Sequence, residues 1–188
     1  MRRRILFIFA LPMMLAAFVL GASPALATSA HLKGNHPLSF TDNGLTLTGT
    51  ASYAGLGNFD TTQTLTATAN PTATCTNPGS GVHQPPGHNP APVTVTGSTS
   101  IPASDIKNGN VTITTTTAPP VTPIAGAPDC PNSSWTEDIT DMAFTSATIT
   151  VTQNINGVST LVLTVHVTFS PPTSNGPVPE SGFTFTSS

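Results

Sequence analysis

The chain has 188 residues, a length that fits one domain, and only 7% of them are charged, against about 25% in an average soluble protein. Beyond Arg2, Arg3 and Arg4 the only basic residues are Lys33 and Lys107, set against eight acids. Two lysines cannot neutralise a row of phosphates, which excludes nucleic-acid binding and adhesion to anionic membranes and speaks against most phosphate-handling enzymes.

Arg2 to Arg4 precede an apolar run from Ile5 to Leu20, and Ala25-Leu26-Ala27 places small residues at both positions of a cleavage site. The run is shorter than a membrane span. Residues 1–27 are therefore expected to be a removed signal peptide, leaving a secreted, extracellular chain with no membrane attachment. The Arg2-Arg3 pair leaves the choice between Sec and twin-arginine export open. Residues 28–37, with His31 and His36, read as a mobile arm, and residues 38–188 as a single domain.

Threonine then recurs at every second position, the period of a strand with two different faces. Leu45 and Leu47 lie between threonines after the turn Asp42-Asn43-Gly44. From Thr62 to Thr76 hydroxyls occupy nearly all the even positions, while Leu65, Ala67, Ala69, Ala73 and Cys75 occupy odd ones. That phase turns Cys75 toward the core, and Pro71 is expected to break the run or mark an edge. Residues 77–92 and 118–131 hold too much proline and glycine for strands. Between them come Val93 and Val95, a short helical turn within residues 101–107, the turn Asn108-Gly109, and Val111 with Ile113. Ala147, Ile149 and Val151 are expected to pair with Leu161, Leu163, Val165, Val167 and Phe169 through Asn154-Ile155-Asn156-Gly157, a sequence suited to a tight hairpin.

Cys75 and Cys130 are the only cysteines. In an exported chain they are expected to form a disulfide, with a free catalytic thiol as the rival reading. Seven or eight short strands, long loops and one bridge indicate an all-β fold, an immunoglobulin-like antiparallel sandwich of two sheets. Trp135, five residues after Cys130, is then expected to pack against an inter-sheet bridge. The Thr-x-Thr clusters begin at Thr46, Thr62, Thr72, Thr94, Thr112, Thr148 and Thr184. Their unequal gaps exclude a solenoid and speak against the single hydroxyl lattice associated with ice-binding surfaces.

Several blocks carry a resemblance: Gly55-Leu56-Gly57-Asn58, Cys75-Thr76-Asn77-Pro78-Gly79, Pro86-Gly87-His88-Asn89-Pro90, Ile106-Lys107-Asn108-Gly109, Cys130-Pro131-Asn132 with Trp135, and Phe144-Thr145-Ser146-Ala147-Thr148. Together they resemble the recurring blocks of a group of uncharacterised secreted bacterial β-sandwich proteins, over most of the exported chain. The resemblance implies a secreted β-domain and carries over no activity and no functional residue.

Candidate chemistry is sparse. His83 and His88 share one proline-rich loop and are weak metal candidates, because zinc and copper sites need more ligands than two. His166 falls out of phase with Val165 and Val167 and is expected to face solvent beside Thr164 and Thr168. Glu137, Asp138 and Asp141 could form a calcium cluster, but no spaced acidic loop accompanies them. Tyr53 is the better candidate for an exposed aromatic contact. No nucleophile elbow or opposed carboxyl pair stands out, so no catalytic residue and no cofactor is assigned. The expected function is that of a secreted, non-catalytic domain acting through its surface, as a matrix, cell-envelope or adhesion-type component. A binding module for a glycan, small ligand or metal ion is the alternative. The partner is then another extracellular molecule or a second copy of the chain.

Overall fold

The structure, a computed structural model, describes residues 29–188. The expected signal peptide over residues 1–27 lies outside them. The strands in chain order are β1 (His31–Leu32), β2 (Leu38–Asp42), β3 (Leu47–Ala54), β4 (Thr61–Thr76), β5 (His83–Gln84), β6 (Val93–Ile101), β7 (Val111–Thr116), β8 (Thr136–Ile155), β9 (Val158–Phe169), β10 (Gly176–Val178) and β11 (Phe183–Ser187). A 3-10 turn over Ala103–Asp105 sits where a short helical turn is expected.

All pairing is antiparallel. One sheet runs β7-β3-β2-β10, with β1 beside the end of β3. The other runs β6-β4-β8-β9-β11, with β5 beside the end of β4. Burial alternates strictly along β3 and β4, so each sheet contributes one face to a single core. Phe40, Leu47, Ala51 and Ile113 meet Leu65, Phe144, Ile149, Val165 and Phe169 there. Phe40 packs edge-on against Phe169 and Phe183, with centroids 5.2 Å apart in both cases.

The hairpin β8–β9 turns at Asn156-Gly157, both at positive φ, which suits the right-handed strand twist. Ala147, Ile149 and Val151 pair with Val167, Val165 and Leu163 as the periodicity predicts. Leu161 departs from that prediction. A bulge between Val151 and Thr152 inserts Val162 as an extra residue and turns Leu161 out, 58% exposed.

Three further expectations are corrected. Eleven strands occur among the described residues, because two- and three-residue strands, including β5 inside a proline-rich loop, are too short to leave a period in the sequence. β4 also runs unbroken through Pro71. β6 stops pairing at Ala69 and β5 begins only at Cys75, so the missing N–H falls at a local gap on that side of the strand. Finally, the Cys75–Cys130 disulfide exists, but it joins β4 to the loop between β7 and β8 rather than one sheet to the other. Trp135 is consequently half-buried at the end of that loop. Among the described residues the most deeply buried aromatics are instead Tyr53 and Phe144.

Candidate functional site

The outward faces of both sheets are paved with hydroxyls. On the smaller sheet Thr48, Thr50 and Ser52 of β3 hydrogen-bond across to Thr116, Thr114 and Thr112 of β7, at 2.8, 2.8 and 2.9 Å. On the larger sheet Thr62, Thr64, Thr66 and Thr68 of β4 bond to Ser100, Ser98, Thr96 and Thr94 of β6, at 2.9, 2.9, 3.2 and 3.2 Å. Register carries the pattern onward. Thr66 faces Thr148 on β8, Thr148 faces His166 on β9, and His166 faces Thr186 on β11. The next row runs Thr94, Thr68, Ser146, Thr168, Thr184.

No charged residue occurs at these positions, and His166, exposed as expected, is their single titratable group. Unequal spacing in the chain therefore did not prevent an array, because antiparallel register aligns the clusters. Each hydroxyl pair uses one O–H and keeps the other, with its spare lone pairs, for solvent or a partner. Sheet twist of roughly 20° per strand keeps the rows from lying in one plane.

A polar cluster lies between the sheets. Tyr53, expected to be exposed, is fully buried in phase with Ala51. Its hydroxyl donates to Gln63 Oε1 at 2.5 Å, and Gln63 Nε2 donates to Thr115 Oγ1 at 2.9 Å. Burial pushes the Tyr53 hydroxyl upward in pKa. Nearby in register, Gln153 Nε2 donates to Thr61 Oγ1 at 3.0 Å. The phase that places Leu65 inside also places Thr61 and Gln63 inside, a signal that the run of threonines obscures.

The three acids of β8 do not form a cluster. Strand alternation turns Glu137 inward and Asp138 outward, where it accepts from Thr122 Oγ1 at 3.3 Å. Asp141 instead approaches Gly44 and Asp42, in the turn between β2 and β3. Asp42 is 2% exposed and accepts from Gly44 N at 2.9 Å and Thr173 Oγ1 at 2.5 Å. Burial, with a smaller push from Asp141, holds its carboxyl above the ordinary carboxylate range despite those two hydrogen bonds.

The folded chain thus binds this proton more tightly than the unfolded chain does. Its contribution to stability is most favourable at acid pH and falls as pH rises through the folded-state value. Asp42→Asn should accordingly raise Tm relative to the native protein at about pH 7, an advantage that shrinks toward about pH 3. Thermal melts across that range check it, and an advantage constant with pH would contradict it.

Glu137 is fully buried opposite Cys75, and neither carboxyl oxygen has a hydrogen-bond partner among the described residues. A buried polar group left unpaired costs about 1–3 kcal/mol. Glu137→Met, which keeps the side-chain length and removes that cost, should raise Tm by several degrees. An unchanged or lower Tm would show that the carboxyl has a partner after all.

The histidines are placed separately. His83 Nδ1 lies 3.0 Å from Thr76 Oγ1, and His88 Nδ1 lies 3.4 Å from Asp129 Oδ1. His31 meets the Ser29 carbonyl, and His36 pairs with Glu180 at 2.6 Å. Among the described residues no group of three or more His, Cys, Asp and Glu is arranged to hold a metal ion, and no helix is long and apolar enough to cross a membrane. An open cleft of about 550 Å³ lies at one end of the larger sheet, lined by Asp60, Thr62, Ser100, Thr152, Asn154 and Ser159 among others. Comparison with family models, curated proteins and solved structures finds no match to this chain.

Proposed function

We propose that this is a secreted, non-catalytic, immunoglobulin-like domain that acts through its surface, as a matrix, cell-envelope or adhesion-type component. The paired hydroxyl faces carry the reading. They offer many weak, uncharged hydrogen-bonding positions over broad faces, the chemistry of contact with another hydrated, neutral surface. Asp42 and Tyr53, whose pKa values burial raises, lie toward opposite ends of β3, whereas acid–base chemistry needs such groups together in a cleft. The scarcity of Lys and Arg, with Lys33 and Lys107 the only two described, also suits a life among extracellular proteases.

Fractionation of the native host tests the proposal. The protein is expected in the matrix or envelope fraction, and replacing Thr64 and Thr148 by Glu should move most of it to the medium without changing its melting temperature. Native protein found wholly free in the medium would overturn it.

The cleft beside Asp60 favours a second reading, a module for a small neutral glycan, since its hydroxyl and amide side chains converge on one space. Saturable binding of an oligosaccharide, lost in Asn154→Ala, would support that reading.

A further inference from the structure

The outer edge of the larger sheet is unprotected. β11 reads Phe183-Thr184-Phe185-Thr186-Ser187, with neither a charge nor a proline to discourage another strand. Residues 184–187 are exposed, and among the described residues no strand pairs with the far side of β11.

Hydrogen-bond parity fixes what that edge offers. Ser188 exchanges both backbone bonds with Thr164, at 2.8 and 2.9 Å, and the Gly182 carbonyl accepts from Ser170 N. Even-numbered residues therefore bond inward to β9, and antiparallel alternation leaves the N–H and C=O groups of Phe183, Phe185 and Ser187 pointing away from the sheet. Phe185 faces the core side by register, yet it is 42% exposed. It lines a small notch with Pro37, Leu38 and Phe183, beneath the His36–Glu180 pair.

We propose that β11 pairs antiparallel with β11 of a second copy about a two-fold axis at Phe185, joining two six-stranded sheets into one of twelve strands. The sequence of the edge is self-complementary about that residue. Phe185 would exchange both backbone bonds with its own counterpart, and Phe183 would do so with Ser187 of the second copy. Thr184 would face Thr186 of the second copy, repeating the hydroxyl-to-hydroxyl rule of the pairs between β4 and β6 and between β3 and β7. The half-exposed phenyl rings would cover each other on the core side. A charged or polar partner strand would satisfy the backbone equally but leave those rings wet, so a second copy fits best. The inference stands apart from the surface reading, since a monomer could still act through its hydroxyl faces.

Sedimentation and light scattering of the purified, oxidised protein test it. The expected result is a concentration-dependent dimer. Phe185→Pro removes an N–H that makes no bond within the monomer, a substitution an edge strand tolerates. It should abolish the dimer and leave the circular dichroism and Tm of the monomer unchanged. Phe185→Cys should form an intermolecular disulfide on mild oxidation about tenfold faster than Ser187→Cys, because only the residue on the axis meets its own copy within bridging distance. A monomer at every concentration, a dimer untouched by Phe185→Pro, or equal crosslinking at positions 185 and 187 would each overturn the proposal.

Discussion

Replacing Cys75 and Cys130 together by alanine should lower the stability of the folded chain by about 4 kcal/mol, the chain-entropy cost of freeing a loop of this length. The bridge spans 55 residues with Cα atoms 5.6 Å apart. For a domain of this size the loss corresponds to a fall in Tm of roughly 10 °C. The effect is large relative to the stability available, because many inward positions, including Ala51, Ala67, Ala69, Ala73 and Ala147, hold only a methyl group. The two proline-rich loops are otherwise held by the short β4–β5 pairing and by single hydrogen bonds such as that of Ile139 N to Thr122 Oγ1. Ile124 N donates to the Glu137 carbonyl at 2.7 Å and Gly87 N to the Asp129 carbonyl at 2.8 Å. Thermal melts of the oxidised protein and the double variant measure the loss, and intact mass after alkylation establishes the oxidation state. Two free thiols in protein made under oxidising conditions, or equal melting temperatures, would refute the expectation.

What was legible in the sequence was the side-chain period. Alternation placed Leu65, Ala67 and Cys75 inside and His166 outside, and Asn156-Gly157 located the hairpin, because each depends on one strand or one turn. Features that depend on two strands at once were not legible. The hydroxyl rows need the register of β4 against β6 and β8, which no spacing along the chain reveals. The exposure of Leu161 depends on a bulge, the continuity of β4 at Pro71 on where its neighbours stop, and the meeting of Asp141 with Asp42 on a contact between β8 and a distant turn. Trp135 misled for a different reason. A tryptophan near a cysteine indicates an inter-sheet bridge only when both cysteines lie on strands, and Cys130 lies in a loop. Gln63 was within reach, since its phase is that of Leu65.

The contact that closes one side of the molecule is equally invisible to periodicity, and it predicts an unusual response to a small substitution. Gly97 of β6 sits opposite Leu65 and so faces inward. β7, the edge of the other sheet, passes directly over it, so that a Cβ at Gly97 would lie 2.0 Å from the Thr116 carbonyl oxygen and 2.9 Å from Thr117 Cα. Those are backbone atoms and cannot rotate aside. They are also pinned, because Ala118 N donates to the Thr96 carbonyl, Thr99 Oγ1 to the Thr114 carbonyl, and Leu47 N to Thr117 Oγ1, each at 3.0 Å. Elsewhere in a strand, exchanging glycine for alanine gains roughly 0.5–1 kcal/mol by restricting the unfolded chain. At Gly97 the sign should reverse. Gly97→Ala must push the two sheet edges apart and break those bonds, a loss of about 3 kcal/mol at the upper end of overpacking costs. Urea titration should give a lower midpoint with an unchanged slope, and amide exchange should quicken first at Ala118. Ser98→Ala, one residue along on the outward face, should change the midpoint little. If Gly97→Ala matched or exceeded the native midpoint, the close approach of β6 and β7 would be wrong, and with it the closed side of the sandwich.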